Sequence, residues 1–180
     1  GRLQQLLDKL SKTRSLGDFI QTRKNSGWIK GEGFIENKNG KKLDYITGKP
    51  FLPTSGFSED GINYSVIDVC TVQRFHRRTN PKVFKGPHIL IRKILPPSRL
   101  IIEYVEKDLV FKSDILAIHA PVSSAKELKK LEKFIKDNNT LLRFYLLATS
   151  SRVKIIKATS LYDEDILNLP YPEETKDIEV

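Results

Sequence analysis

The side chains best placed to do chemistry in this sequence are cations. Residues 71–102 contain eight lysines or arginines and no aspartate or glutamate. Within them the 74–80 segment reads Arg-Phe-His-Arg-Arg-Thr-Asn, which interleaves guanidinium groups with an aromatic ring and an amide. Arginine and asparagine can read guanine and adenine edges through paired hydrogen bonds, while lysine and threonine position the phosphate backbone. The segment therefore predicts a nucleic-acid contact surface, with a merely solvated, charged loop as the alternative.

Groups that could catalyse a reaction do not converge in the sequence. His76, His88 and His119 lie 12 and 31 residues apart, with no carboxylate or cysteine at a metal-ligand spacing around them. The charged 103–108 segment lacks the Glu-x-Lys spacing of a metal-dependent nuclease and is typical of an exposed turn. The 168–171 segment reads Asn-Leu-Pro-Tyr, which departs from the Asn-Pro-Pro-Tyr that amino-group methyltransferases use on a flipped base. We therefore predict no catalytic residue, no metal ligand and no cofactor of this chain.

Composition agrees with a polyanionic partner. The chain has 180 residues, the length of one average domain, and a net charge of +9. A field of this sign attracts phosphates and raises association rates. No apolar run approaches the length of a membrane span and no signal peptide opens the chain, so we expect a cytoplasmic protein with no membrane contact. The leading glycine and the lack of methionine indicate an excised piece of a longer polypeptide.

The elements that would position the cations are mostly strands. Short runs rich in isoleucine, valine, leucine and phenylalanine, separated by turn residues, predict a central sheet between residues 84 and 120. The 37–40 segment, Asn-Lys-Asn-Gly, predicts a hairpin turn. Further strands are predicted near 45–53, within 62–69 and over 153–158.

Two helices are predicted after the central strands, and one before them. Apolar residues at 3, 6, 7 and 10 share one helical face. Ser124 and Glu127 are spaced as a capping box at the start of a second helix. The 141–148 segment is apolar nearly all round, which predicts a buried helix. Together the patterns predict an α+β fold with a mixed, largely antiparallel sheet and a helical pair after its central strands.

The order of several motifs resembles a known family. Phe84–Arg92 reads Phe-x-Gly-Pro-x-Ile-Leu-Ile-Arg, and Arg-Leu-Ile-x-x-Tyr and a Val-Phe strand follow it. Later come a Leu-x-x-Leu helix, an Asn-Thr pair, Phe-Tyr, Thr-Ser-Ser and Leu-Pro-Tyr-Pro. This series is similar to the target-recognition domain of N-6 adenine-specific DNA methyltransferases, the TaqI-like C-terminal specificity domain of type IIG restriction–modification enzymes. The likeness spans roughly residues 70–172. Thr140 stands where the family usually has serine, and the glycine that often follows Ser151 is absent.

The resemblance implies a non-catalytic domain that docks on double-stranded DNA and reads base edges in the major groove. The missing N-terminal methyltransferase domain of the same bacterial or archaeal polypeptide would then transfer a methyl group from S-adenosylmethionine to adenine. In a restriction–modification or phage-defence system, the parent protein could also cleave DNA. On this interpretation residues 1–70 form a β-rich part of the same domain, and residues 71–180 form its DNA-recognition core.

The predicted DNA contacts are the polar residues of the acid-free run and of the loop after the buried helix. They are Arg74, His76, Arg77, Arg78, Asn80, Lys82, Lys85, Lys93, Arg99, Ser151 and Arg152. We expect Arg77 and Arg78 to lie nearer the bases, and the lysines nearer the phosphates. Two alternatives stay open: a stand-alone metal-dependent nuclease using Glu103 or Asp108, and a protein-interaction module with a basic face.

Overall fold

A computed structural model describes residues 1–151, 153 and 159–172. Its helices are α1 (Arg2–Ser11), α2 (Leu16–Thr22), α3 (Ala125–Asp137), α4 (Asn139–Thr149) and α5 (Asp163–Leu167). Its strands are β1 (Ile29–Glu32), β2 (Glu36–Lys41), β3 (Pro50–Phe51), β4 (Phe57–Ser58), β5 (Gly61–Ile62), β6 (Asp68–Val69), β7 (His88–Arg92), β8 (Ile102–Val105) and β9 (Ile115–His119). The predicted α+β class is confirmed. Within the described part of the chain, no helix is long and apolar enough to cross a bilayer.

A four-stranded antiparallel sheet organises the chain. Its strand order is β1-β9-β7-β8, so the first strand pairs with the last one, and β1 and β8 form the two edges. Every residue of β9 and the first four of β7 are buried. Such continuous apolar runs are typical of strands that are covered on both faces. Of the runs predicted as central strands, 84–93, 99–104 and 115–120 are confirmed as the shorter strands β7, β8 and β9. The fourth run, 109–112, is not a strand and makes only isolated bridges at Val110 and Lys112.

The two faces of this sheet carry two different cores. Ile89, Ile91 and Leu116 belong to a core that also contains Trp28 and residues of helices α1 to α5. Leu90 and Ala117, which alternate with them, pack against an irregular layer built from residues 34–84 and 109–111. Alternation along a strand sends successive side chains to opposite faces, so one short strand serves both cores. The sheet thus separates a helical layer from a loop-rich layer, and the 74–82 cations belong to the loop-rich one.

Several predicted elements of the loop-rich layer are wrong in detail. The 37–40 segment is part of β2, and both ends of β2 bridge to Phe75 instead of folding back as a hairpin. The 44–48 segment is a turn, and only Pro50–Phe51 of the predicted 45–53 strand is extended. The 62–69 run is split by a 3-10 turn at Tyr64–Val66. Short runs of this kind follow their tertiary partners more than their own composition.

The helices follow the sequence more closely. α1 and α3 cover the predicted amphipathic segments, and α4 covers the predicted buried one, although Leu147 in α4 is 53% exposed. Ser124 makes no side-chain capping bond; Glu127 pairs instead with Arg23 at 2.9 Å, so the predicted capping box is wrong. Val153 is helical, and the rest of the predicted 153–158 strand lies outside the described residues, as does the acidic tail beyond 172.

The buried His88 should make stability depend on pH. Its ring is fully buried, with Nδ1 2.8 Å from the Val83 carbonyl oxygen and Nε2 3.0 Å from that of Lys107. Burial lowers the pKa of His88 from its usual 6.5 and outweighs the two carbonyls, which raise it. The unfolded chain therefore binds the proton more readily. The contribution of His88 to stability is complete above about pH 6.5 and is lost as the pH falls towards its folded pKa.

This prediction can be checked with urea unfolding between pH 8 and pH 5. We expect the free energy of unfolding to decrease below about pH 6.5. A His88→Gln variant, although less stable throughout, should show a flatter decrease over the same interval because residue 88 no longer titrates. Parallel pH curves for the two proteins would contradict the prediction.

Candidate nucleic-acid interface

Phe75 anchors the cationic segment to the protein. Its side chain is fully buried and meets the Phe34 ring edge-on at 5.2 Å. Residues on either side of it in sequence, Arg74 and His76, are exposed. The predicted interleaving of cations with an aromatic ring is thus a strand-like alternation, in which the aromatic ring points into the core. Phe75 is a core residue that fixes where its cationic neighbours emerge.

Backbone pairing places a second group of cations beside this segment. Asn37 donates its N–H to the Arg74 carbonyl oxygen at 3.1 Å, and Arg74 Nη1 donates to the Gly40 carbonyl oxygen at 3.0 Å. His76 donates its N–H to the Ile35 carbonyl oxygen at 2.8 Å. The lysines of β2 and the residue after it therefore lie next to the arginines.

We call this region the cationic surface. All its members are exposed, and they are Lys38, Lys41, Lys42, Arg74, His76, Arg77 and Arg78. Residues 35–42 and 71–80 together contain three lysines and three arginines against a single carboxylate, Glu36. The three lysines were not predicted as contacts, because they fall 29 or more residues before the acid-free run. Their signal was the 38–42 segment, Lys-Asn-Gly-Lys-Lys, which was interpreted only as a turn.

Arg77 and Arg78 differ in their surroundings. Arg77 Nη2 lies 2.7 Å from Glu32 Oε1, and the Arg77 side chain is still 62% exposed. Arg78 is exposed and makes no hydrogen bond or ion pair with any residue that the structure describes. A guanidinium has five N–H donors, so Arg77 keeps donors for a ligand while it holds Glu32. Both predicted base-reading residues are accessible.

The neighbouring predicted contacts are partly engaged. The Asn80 side chain accepts a hydrogen bond from the Lys82 N–H at 3.0 Å and so caps the 3-10 turn Pro81–Phe84. Lys82 is exposed on this turn. Lys85 pairs with Asp108 at 3.1 Å, with both side chains more than half exposed. Exposed pairs of this kind contribute little and open readily, so Lys85 stays available to a phosphate.

Lys93 and Arg99 lie outside the cationic surface. The Lys93 side chain is 15% exposed, and its ammonium lies 2.7 Å from Glu32 Oε2 and 2.9 Å from Asp163 Oδ1. Burial lowers the pKa of Lys93, but the neighbouring Glu32 and Asp163 carboxylates outweigh it, and the net pKa is raised. Arg99 precedes the edge strand β8, across the sheet from β1, and pairs with Asp60 at 3.1 Å.

The last two predicted contacts follow α4. Ser151 is exposed, and Arg152 lies outside the described residues.

The carboxylates of the nuclease alternative have structural partners. Glu103 accepts a hydrogen bond from the Tyr64 hydroxyl at 3.1 Å, and Asp108 accepts one from the Gly86 N–H at 2.9 Å. Partial burial raises the pKa of Asp108, but the bond from Gly86 and the Lys85 ammonium outweigh it and lower the pKa. In the part of the chain that the structure describes, no three His, Cys, Asp or Glu side chains group as metal ligands.

Comparison with known proteins assigns this chain to no family. No family model matches the chain, and no curated protein matches it. One solved chain comes from a study of the structural basis of complex assembly and conformational transition of the type I R-M system. It aligns with 97% of this chain at 16% sequence identity and a TM-score of 0.34. This chain spans 44% of the length of that one. At this TM-score the alignment supports no assignment of fold or activity.

Proposed function

We propose that this chain binds double-stranded DNA in a sequence-specific manner through the cationic surface. The observation that carries the proposal is the pairing of β2 with the 74–76 segment. It brings residues 35–42 and 71–80 together, and these two segments contain six lysines and arginines and one carboxylate. Lys38, Lys41 and Lys42 would contact phosphates, while Arg77 and Arg78 would reach base edges. Lys93 has a structural role in this proposal, because its ammonium is already paired with two carboxylates.

The finer part of the proposal concerns the parent protein. The motif order described above resembles the specificity domain of an adenine-N-6 DNA methyltransferase in a restriction–modification or phage-defence system. We propose that this chain supplies recognition to such an enzyme, and that the methylation chemistry belongs to another part of the polypeptide. This would be tested by assaying methylation by the full-length protein with S-adenosylmethionine on the DNA site that the chain selects.

Arg77→Ala and Arg78→Ala test the recognition surface. Binding would be measured by fluorescence anisotropy against a randomised duplex pool, with sequencing of the bound fraction and a salt titration. If either arginine contacts a guanine, its loss should cost about 1–3 kcal/mol and relax specificity at one position. Lys41→Ala should weaken all sequences alike and reduce the slope of log affinity against log salt by about 1.

Lys130→Ala is the matched control, since Lys130 is an exposed cation of α3 on the other face of the sheet. It removes the same charge and should leave both specificity and salt slope nearly unchanged. Equal effects of Lys130→Ala and Arg77→Ala would overturn the proposed surface. Tight binding to a partner polypeptide, together with salt-insensitive or absent DNA binding, would favour the protein-interaction alternative.

A further inference from the structure

Glu32 connects the cationic surface to the interior of the protein. It is the last residue of the edge strand β1, and its side chain is only 19% exposed. One carboxylate oxygen, Oε1, lies 2.7 Å from Arg77 Nη2, and the other, Oε2, lies 2.7 Å from Lys93 Nζ. Lys93 in turn lies 2.9 Å from Asp163 Oδ1, at the start of α5. Four alternating charges therefore run from an exposed arginine to the helical layer.

Arg77 is far more exposed to solvent than the other three charged side chains. The side chains of Lys93, Glu32 and Asp163 are 15%, 19% and 29% exposed, whereas that of Arg77 is 62% exposed. Lys93 donates a hydrogen bond to Glu32, whereas its contact with Asp163 is an ion pair without a hydrogen bond, which leaves Glu32 as the more strongly bound partner of Lys93. Lys93 thus holds the Glu32 carboxylate from the interior side, and of the four charged side chains only that of Arg77 is mostly exposed to solvent.

We infer that Glu32 is a positioning residue for Arg77: held by Lys93, it fixes the Arg77 guanidinium in the direction from which that group reads one base pair. The inference rests on the proposed function. An arginine on an exposed segment otherwise loses rotamer freedom when it binds, at a cost of about 0.5–1.5 kcal/mol. Fixing it beforehand removes that cost for the sequence whose acceptors match the fixed orientation, and so favours that sequence over others.

The opposite role for Glu32 gives different results. Glu32 could instead act as a latch that neutralises Arg77 and withholds it from DNA. Removing a latch would free one more cation, so binding to every sequence would tighten and the salt slope would increase by about 1. Removing a positioning residue lowers the ratio of specific to non-specific affinity and leaves the salt slope at its wild-type value, because Glu32 itself touches no phosphate.

Glu32→Gln distinguishes the two roles. The amide keeps the size and an acceptor oxygen but loses the charge, and Lys93 retains Asp163 as a partner. We expect the ratio of specific to non-specific affinity to fall by about 2- to 12-fold, which is the rotamer cost above expressed as a ratio. Sequencing of the bound fraction should show the loss at the base pair that Arg77→Ala also relaxes. Glu32→Asp, whose shorter side chain cannot reach both cations, should act in the same direction.

Asp163→Asn is the matched control for stability. It takes the other carboxylate from Lys93 without touching Arg77, so it should lower the melting temperature comparably and leave the affinity ratio unchanged. Equal losses of specificity in Asp163→Asn and Glu32→Gln would overturn the inference, as would tighter binding of Glu32→Gln to all sequences. A wild-type chain with no sequence preference would overturn the proposed function itself. Selective binding that Arg77→Ala impairs and both Glu32 variants leave intact would overturn only the positioning role.

Discussion

Gly40→Ala is expected to destabilise the protein by at least about 3 kcal/mol, at the upper end of the usual cost of overpacking. A Cβ on Gly40 would lie 1.9 Å from the Phe75 carbonyl oxygen and 2.5 Å from its carbonyl carbon. Both are backbone atoms, so no side-chain rotation relieves the overlap. The two segments must move apart, and the hydrogen bonds that join Arg74 to Asn37 and Gly40 are lost with that movement.

The functional consequence of Gly40→Ala follows from the same movement. The β2 lysines and the 74–78 arginines would no longer be held side by side, so DNA binding should weaken even at temperatures where the variant is folded. Urea unfolding gives the stability loss, and anisotropy well below the melting temperature gives the binding loss.

Asn39→Ala is the control, because Asn39 is the adjacent exposed residue of β2. It should change stability by no more than about 0.5 kcal/mol. A Gly40→Ala protein as stable as Asn39→Ala would contradict the close approach of the two backbones.

The strands and helices that were predicted correctly are those in which the pattern of apolar residues matches the pattern of burial. β7 and β9 are covered on both faces, and seven of their ten residues are apolar, so their runs are visible in the sequence. α3 buries one apolar stripe, and α1 packs part of its stripe against the core, with Leu10 buried and Leu3 55% exposed. The 3.6-residue period identifies both stripes. In these elements the secondary structure and the tertiary environment require apolar residues at the same positions. The order of apolar and polar residues was therefore sufficient to predict them.

The cationic surface could be predicted only in part, because it is made by long-range pairing. The arginines at 74, 77 and 78 were found, since an acid-free run is visible in one dimension. The lysines of β2 were missed, because nothing local to the 37–40 segment says that its backbone pairs with Phe75 rather than with itself. Lys93 shows the converse limit: its charge fits the run, yet its ammonium is directed towards Glu32 and Asp163. The sequence shows that a charged side chain is present, but not which groups that side chain contacts.

Phe75→Ala is expected to cost about 3–5 kcal/mol of stability, the range found when a buried phenylalanine is truncated. The ring is fully buried, and its loss would leave a cavity beside Phe34 in the core of the loop-rich layer. The same ring is what directs Arg74 and His76 outward, so the truncation should also weaken DNA binding in the folded fraction. Phe75→Leu retains most of the apolar volume and should lose much less of both.

A double-mutant cycle between Gly40→Ala and Phe75→Ala tests whether these two residues stabilise one junction. Each change separates β2 from the 74–76 segment. Once one substitution has broken this pairing, the second substitution has fewer contacts left to remove. The loss in the double variant should therefore be smaller than the sum of the single losses by more than about 0.5 kcal/mol, the limit within which independent sites add. Phe75→Ala combined with Leu128→Ala, a buried position in the other core, provides the additive reference. Strict additivity in both cycles would show that β2 and Phe75 contribute separately, and the cationic surface would then not depend on their pairing.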